Sequence, residues 1–343
     1  MATRPPRSYT FRPVWIAGKH GVMAASDKAQ KSWDAADAAV SGASGTAWLG
    51  VFPCEAQGPV VIFWGEGDDE DLVLRLRAIA KSRDLELDDL PIRVCLRVPH
   101  LTDQEQLAIV RAELLATQPT LVILDPLYLA VGGARSSDLV EMGGALEAIQ
   151  HLTQAVRASL LVLHHFRKGG SGTDRDRMSG AGPAAWGRVL VSIHVTSRRT
   201  EPDGASIVTR RLAFIGDAIS DLTIVVRRRI RKINPDTASS PYEYEIEQLE
   251  EDELAGDEAL PPSARRVLSV LDAARHSLKV REIGDQLAEA GHPLKRRTIQ
   301  EALALLDKME RAKGFGDPAQ GLEWVSITAE TSDQPPVEEP NAF

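Results

Sequence analysis

Apolar, β-branched runs alternate with stretches of helical spacing over the first half of the chain. "GPVVIFW", "PIRVCLRV", "TLVILDPL" and "ASLLVLHH" are short and continuous, the pattern of strands buried on both faces. "DEDLVLRLRAIAKSRDL", "TDQEQLAIVRAELLATQ" and "DLVEMGGALEAIQHLTQAVR" lie between them and place their apolar residues at helical intervals. Thr102 and Asp138 stand where N-caps belong. This alternation predicts a parallel, doubly wound α/β sheet. Past about residue 185 the pattern changes. "GRVLVSIHVTSRRT", "ASIVTRRLAF" and "DLTIVVRRRIRKI" are strands joined by polar turns such as "EPDG", and they predict an antiparallel extension of the same sheet.

"YEYEIEQL" is a last strand, and it runs into acidic residues ending at Pro261-Pro262. Beyond them "SARRVLSVLDAA", "KVREIGDQLAEAG" and "LKRRTIQEALALLDKMERAK" predict three short helices, and "GFGDPAQGLEWVSIT" a closing hairpin. Three helices and a hairpin predict a winged helix. The chain is thus divided into an α/β domain over 1–250, an acidic linker over 251–262, a winged helix over 263–328 and a tail over 329–343 expected to be disordered.

Composition narrows the function classes. The chain has 343 residues and a net charge of −9, which argues against a protein that coats nucleic acid with its whole surface. No apolar run approaches the ~20 residues of a membrane span. "MATRPPRSYTFRP" has no apolar stretch behind its basic residues, so no signal peptide is expected, and the chain reads as cytoplasmic. Cys54 and Cys95 lie far apart in apolar surroundings and fit free thiols better than a disulfide or a metal site.

Four stretches carry candidate chemistry. "GVMAASDKAQKSWDAADAAVSG" has the outline of a phosphate loop: a strand end, a short loop, Lys31-Ser32 and a helix. Such a turn aims backbone N–H groups and the positive helix end at one point, where phosphate binds. The lysine neutralises β/γ charge and the hydroxyl ligates Mg²⁺. Lys28, Ala29, Gln30, Lys31, Ser32 and Trp33 are the candidate nucleotide contacts. The usual pattern G-x-x-x-x-G-K-[ST] has glycines where this chain has Ala25 and Gln30. Those glycines supply positive φ and close approach. By itself the stretch is better matched by a chance lysine-serine pair at a helix start.

"TLVILDPL" ends an apolar strand in Asp125, the form of a strand whose aspartate holds Mg²⁺. An ordinary core strand ending in a turn residue has the same look. "VVIFWGEGDDE" puts Glu66 directly after a buried strand, where a carboxylate can polarise an attacking water. Asp68, Asp69 and Glu70 read instead as acidic residues favouring the next helix's N-terminus. "LLVLHHFRKGGSGTDRDRMSGAG" leaves a buried strand at His164-His165 and becomes a Gly/Ser loop with Arg167, Lys168, Arg175 and Arg177. A strand-end histidine can sense a phosphate, or simply be a satisfied core residue. Four cations among glycines in an acidic protein suit a nucleic-acid backbone.

The order of these four stretches resembles the RepA-type hexameric helicases, RecA-like P-loop ATPases of plasmids and phages related to the DnaB helicases. The resemblance runs over about residues 10 to 250. It implies ATP and Mg²⁺, with Lys31 and Ser32 in the phosphate loop, Ser32 and Asp125 at the metal, Glu66 as catalytic glutamate and His165 as phosphate sensor. It implies that Arg210 or Arg211 reaches into a neighbouring subunit's site from an edge strand. It also implies a homo-oligomer, hexameric in that family, with single-stranded DNA in a central channel. The departure is Gln30, which puts the hydrolysis rate in question.

The C-terminal helices add a second constellation. Ser263 to Lys313 hold eleven Lys/Arg and seven Asp/Glu, a local net of +4. Lys295, Arg296 and Arg297 open the third helix, the end that meets duplex DNA in helix-turn-helix readers. A protein-contact domain with a solvated basic face is the competing reading. The sequence therefore leads to an ATP-dependent DNA-replication protein of a mobile element. The alternative is a DNA-binding regulator or scaffold whose altered loop turns over little ATP.

Overall fold

A computed structural model describes residues 7–26, 28–67, 69–132, 139–166, 182–216, 219–250, 260–274, 276–316 and 321–327. The chain divides into two compact units, Met1–Glu250 and Glu251–Phe343.

The first unit is built on a mixed nine-stranded sheet. Its parallel part contains β3 (His20–Ala25), β4 (Val60–Trp64), β5 (Ile92–Cys95), β6 (Leu121–Asp125) and β7 (Ser159–His165). The strands β8 (Val189–Thr200), β9 (Ser206–Gly216), β10 (Ile219–Lys232) and β11 (Tyr242–Leu249) follow. The order across the sheet is β11-β10-β9-β8-β3-β7-β6-β4-β5. β8 joins parallel to β3, and β9, β10 and β11 then alternate in direction. The sequence expectation of a parallel sheet with an antiparallel extension is met. β5 differs from it, because this strand ends the sheet and is only half-buried. A small hairpin of β1 (Tyr9–Phe11) and β2 (Trp15–Ile16) packs its aromatics on Trp48. Gly21 in β3 makes that packing possible, since a Cβ there would come within 2.6 Å of the Trp15 ring.

Helices cover both faces. On one face lie α1 (Lys31–Ser44) and α2 (Asp69–Lys81); on the other lie α3 (Gln104–Thr117), the short α4 (Leu127–Ala130), α5 (Leu139–Ala155) and the short α6 (Gly182–Trp186), whose Trp186 donates to Gln150 of α5. α3 is capped by Asp103, whose side chain accepts from the Glu105 and Gln106 N–H groups, one residue beyond the expected Thr102. Asp138 lies outside the described residues. Cys54 and Cys95 are free, and partial burial raises both thiols above their ordinary value.

The antiparallel extension carries arginines on both faces, with opposite uses. On the open face Arg227, Arg229 and Arg231 stand in register with Glu247, Glu245 and Glu243 and pair with them across the strands. On the α1 face Arg210 and Arg228 are fully buried, and both bind the carboxylate of Asp34, itself fully buried in α1. Burial alone lowers the pKa of a buried arginine. At Arg228 the pull of Asp34 outweighs it and the value ends above the ordinary one. Asp37, one turn on, accepts from Arg83, the Leu49 N–H and the Tyr244 hydroxyl. Arg210 was expected at a sheet edge, reaching a neighbouring subunit. It instead sits on β9, an interior strand, and is spent inside its own fold. Arg211 points to the opposite face of β9 and is half-buried.

The second unit contains α7 (Pro262–Ala274), β12 (Leu278–Lys279), α8 (Val280–Glu289), α9 (Arg296–Lys308), β13 (Ala312–Phe315) and β14 (Glu323–Ser326). The three strands form an antiparallel sheet in the order β12-β14-β13. Leu268, Leu271, Ile283, Leu287, Leu303 and Leu306 build its core. Among the described residues no helix is long and apolar enough to cross a membrane.

Removing Asp34 strands two buried cations, which costs about 3–5 kcal/mol for a broken buried pair. Asp34→Ala should lower the urea midpoint accordingly. Arg227→Ala breaks a cross-strand pair on the open face and should cost under about 1 kcal/mol. Equal losses in the two variants would show that the buried cluster does not hold the extension to α1.

Candidate nucleotide site

The parallel strands bring the candidate residues to one end of the sheet. In the register Ala25 lies opposite His165, and Trp64 opposite Asp125. The loop after Ala25, Glu66 two residues past β4, Asp125 and His165 are therefore neighbours. Open parallel sheets place ligands at this carboxyl edge.

The loop itself takes the left-handed shape that glycine usually supplies. Lys28 has φ 60° and Gln30 has φ 66°, neither of them glycine. Each such residue costs about 1–2 kcal/mol relative to glycine in that region. Gln30 is the N-cap of α1 and gives no side-chain cap, so the first N–H groups of the helix are left for a ligand. Its own side-chain oxygen is buried without a hydrogen-bond partner.

Lys31 is buried, with its ammonium 3.4 Å from both ring nitrogens of His165. His165 Nε2 is 3.8 Å from a Glu66 oxygen. Tyr128 donates its hydroxyl to Glu66, which pushes the phenol up to about 12. Lys31, His165 and Glu66 thus form one chain lining a cavity of about 370 Å³, and Tyr128 joins it through Glu66. His164, next along β7, is buried.

Asp125 is the most informative residue. It is fully buried, and neither carboxylate oxygen has a hydrogen-bond partner. Burial pushes it from the ordinary 3.8 up to about 6, while nearby Ser32 and Lys31 pull the other way. An orphaned buried carboxylate next to a hydroxyl fits a Mg²⁺ ion, directly or through a water. Among the described residues no three His, Cys, Asp or Glu side chains gather as metal ligands. An ion here would therefore take the rest of its shell from phosphate and water.

Two arginines that sequence reading missed also line the cavity. Arg75 on α2 lies between the rings of Trp33 and Trp64 and pairs with Asp71. Its Nε is buried without a partner. Arg198 on β8 donates to the carbonyl of Lys28. Asp71 and Arg75 stand four apart on α2, and that spacing carries no sign that Arg75 lines the cavity. Arg167, Lys168, Arg175 and Arg177 lie outside the described residues. Lys295, Arg296 and Arg297 are exposed at the start of α9, in the second unit, and Arg297 pairs with Glu301.

Residues 1–171 match a family model described as an AAA domain. The match contains Lys31, Glu66, Asp125 and His165, and it makes this part of the chain similar to AAA-type P-loop ATPases. The strands carrying Arg198, Arg210 and Arg228, and the second unit, lie beyond it. No curated protein matches the sequence.

The raised Asp125 gives the first unit a pH signature. Folded Asp125 holds its proton up to about pH 6 and unfolded Asp125 only to about 3.8, so wild-type stability falls as pH rises through that window. Two pKa units correspond to about 3 kcal/mol. With a chelator and no nucleotide, Asp125→Asn should be about 2–3 kcal/mol more stable than wild type near pH 8 and equal to it near pH 4. A difference independent of pH would show that the carboxylate is not desolvated in the folded protein.

Proposed function

We propose that the chain is an ATP-dependent DNA-replication protein of a mobile element, a RepA-like helicase or its ATPase relative. The observation that carries the ATPase part is the convergence of Lys31, Ser32 and Glu66 on the orphaned carboxylate of Asp125, with His165 between Lys31 and Glu66. In this reading Lys31 and the first N–H groups of α1 hold the β- and γ-phosphates. Ser32 and Asp125 hold Mg²⁺, which draws charge off the phosphate oxygens when bound. Glu66, held by Tyr128, accepts a proton from the attacking water. His165 lies between Lys31 and Glu66 and so responds to whether the terminal phosphate is present. Arg210 is spent on Asp34, so Arg75 supplies positive charge from within the same chain.

DNA enters through two features. The second unit has the element order of a winged helix, and Lys295, Arg296 and Arg297 open its third helix, where duplex backbone would lie. The cations between 167 and 177 would grip single-stranded DNA, in a homo-oligomer arranged around it as in the hexameric family. The regulator or scaffold reading draws on Gln30: a buried, unpartnered amide oxygen in the phosphate loop suits slow turnover.

Turnover separates the two readings. Wild type should hydrolyse ATP and do so faster with single-stranded DNA present. Glu66→Gln should keep nucleotide affinity and lose about 10²–10⁴-fold in rate. Nucleotide binding with no turnover, with or without DNA, would favour the scaffold.

A further inference from the structure

The phosphate loop holds two left-handed residues without a glycine, and the structure offers a reason it keeps that shape. The carbonyl of Lys28, at φ 60°, accepts from the guanidinium of Arg198. The carbonyl of Gln30, at φ 66°, accepts from Arg228 at 3.4 Å as well as from the N–H groups of Trp33 and Asp34. Both arginines come from the antiparallel extension, Arg198 from β8 and Arg228 from β10, and neither belongs to the loop or its helix. Arg228 is fixed in turn by Asp34, one turn into α1. A charged donor on a carbonyl is among the stronger hydrogen bonds, of a size to offset one left-handed residue.

We propose that Arg198 is a positioning residue: it holds the carbonyl of Lys28, and through it the glycine-free loop, in the left-handed shape that binds phosphate, with Arg228 doing the same at Gln30. Glycine's conformational freedom is replaced by two hydrogen bonds from a distant part of the sheet. The nucleotide consequence rests on the function proposed above; the loop consequence does not. Arg198 is exposed, so its replacement leaves the core intact. Arg228 is buried with Asp34, and its replacement would confuse folding with positioning.

The test uses the full chain and Arg198→Gln. Without nucleotide, amide hydrogen exchange over residues 28–33 should quicken while exchange in β3 and β8 stays as in wild type. By calorimetry, Mg²⁺-ADP should bind about tenfold more weakly. The loss should largely vanish when Arg198→Gln is made in a Lys28→Gly background, because glycine takes the left-handed shape unaided. It should persist in a Lys28→Ala background. Unchanged loop exchange would overturn the proposal. So would an equal loss of affinity in the glycine and alanine backgrounds, which would mean that Arg198 acts on phosphate by its own charge. If wild type binds no ADP while loop exchange still responds to Arg198→Gln, the nucleotide reading fails and the positioning role stands.

Discussion

Asp34 lies one turn into the helix that starts at Lys31, and it binds two fully buried arginines from strands at the far side of the sheet. Each charge would be costly alone, by several kcal/mol of desolvation. Together they tie the antiparallel extension to the helix whose N-terminus faces the cavity. Arg228 also reaches the carbonyl of Gln30, so the same cluster touches the loop itself. Trp33 adds to the tie by stacking on Tyr244 of the outermost strand, with ring centroids 5.5 Å apart. The loop is thus shaped by residues nearly two hundred positions away in sequence as much as by its own.

That arrangement makes the departure from the usual phosphate-loop pattern intelligible. Glycine lowers the local cost of positive φ, whereas here hydrogen bonds from outside hold Lys28 and Gln30 in place. The rest of the site depends on parallel strand register, which aligns Ala25 with His165 and Trp64 with Asp125. Register places a carboxylate, a hydroxyl and an ammonium together before any ligand arrives. The unpartnered state of Asp125 follows from that placement, because a carboxylate satisfied by the protein would have less to offer a cation.

Much of this was legible in the sequence, for reasons that differ by element. The strands β4, β6 and β7 are continuous apolar runs; β6 and β7 end in Asp125 and His165, and Glu66 follows β4 by two residues, so pattern and candidate chemistry coincided. Lys31-Ser32 stood out by order relative to Asp125. Arg210 was misplaced because a strand's position in a sheet is set by partners, not by its own residues; two neighbours bury it against Asp34. Arg75 and Arg198 were missed for the same reason, since each reaches the loop from an element whose local sequence reads as an ordinary amphipathic helix or strand. Thr102 missed the cap by one residue because Asp103 accepts two N–H groups where threonine would offer a single hydroxyl.

The central claim is that a loop without glycine forms a working phosphate site at Lys31. Calorimetric titration of Mg²⁺-ATP into wild type and Lys31→Ala tests it most directly. The account predicts saturable binding to wild type and a loss of at least about 1.5 kcal/mol in the variant, the lower range for a hydrogen bond to a charged group. Equal affinity in the two proteins, or no binding to wild type, would contradict it.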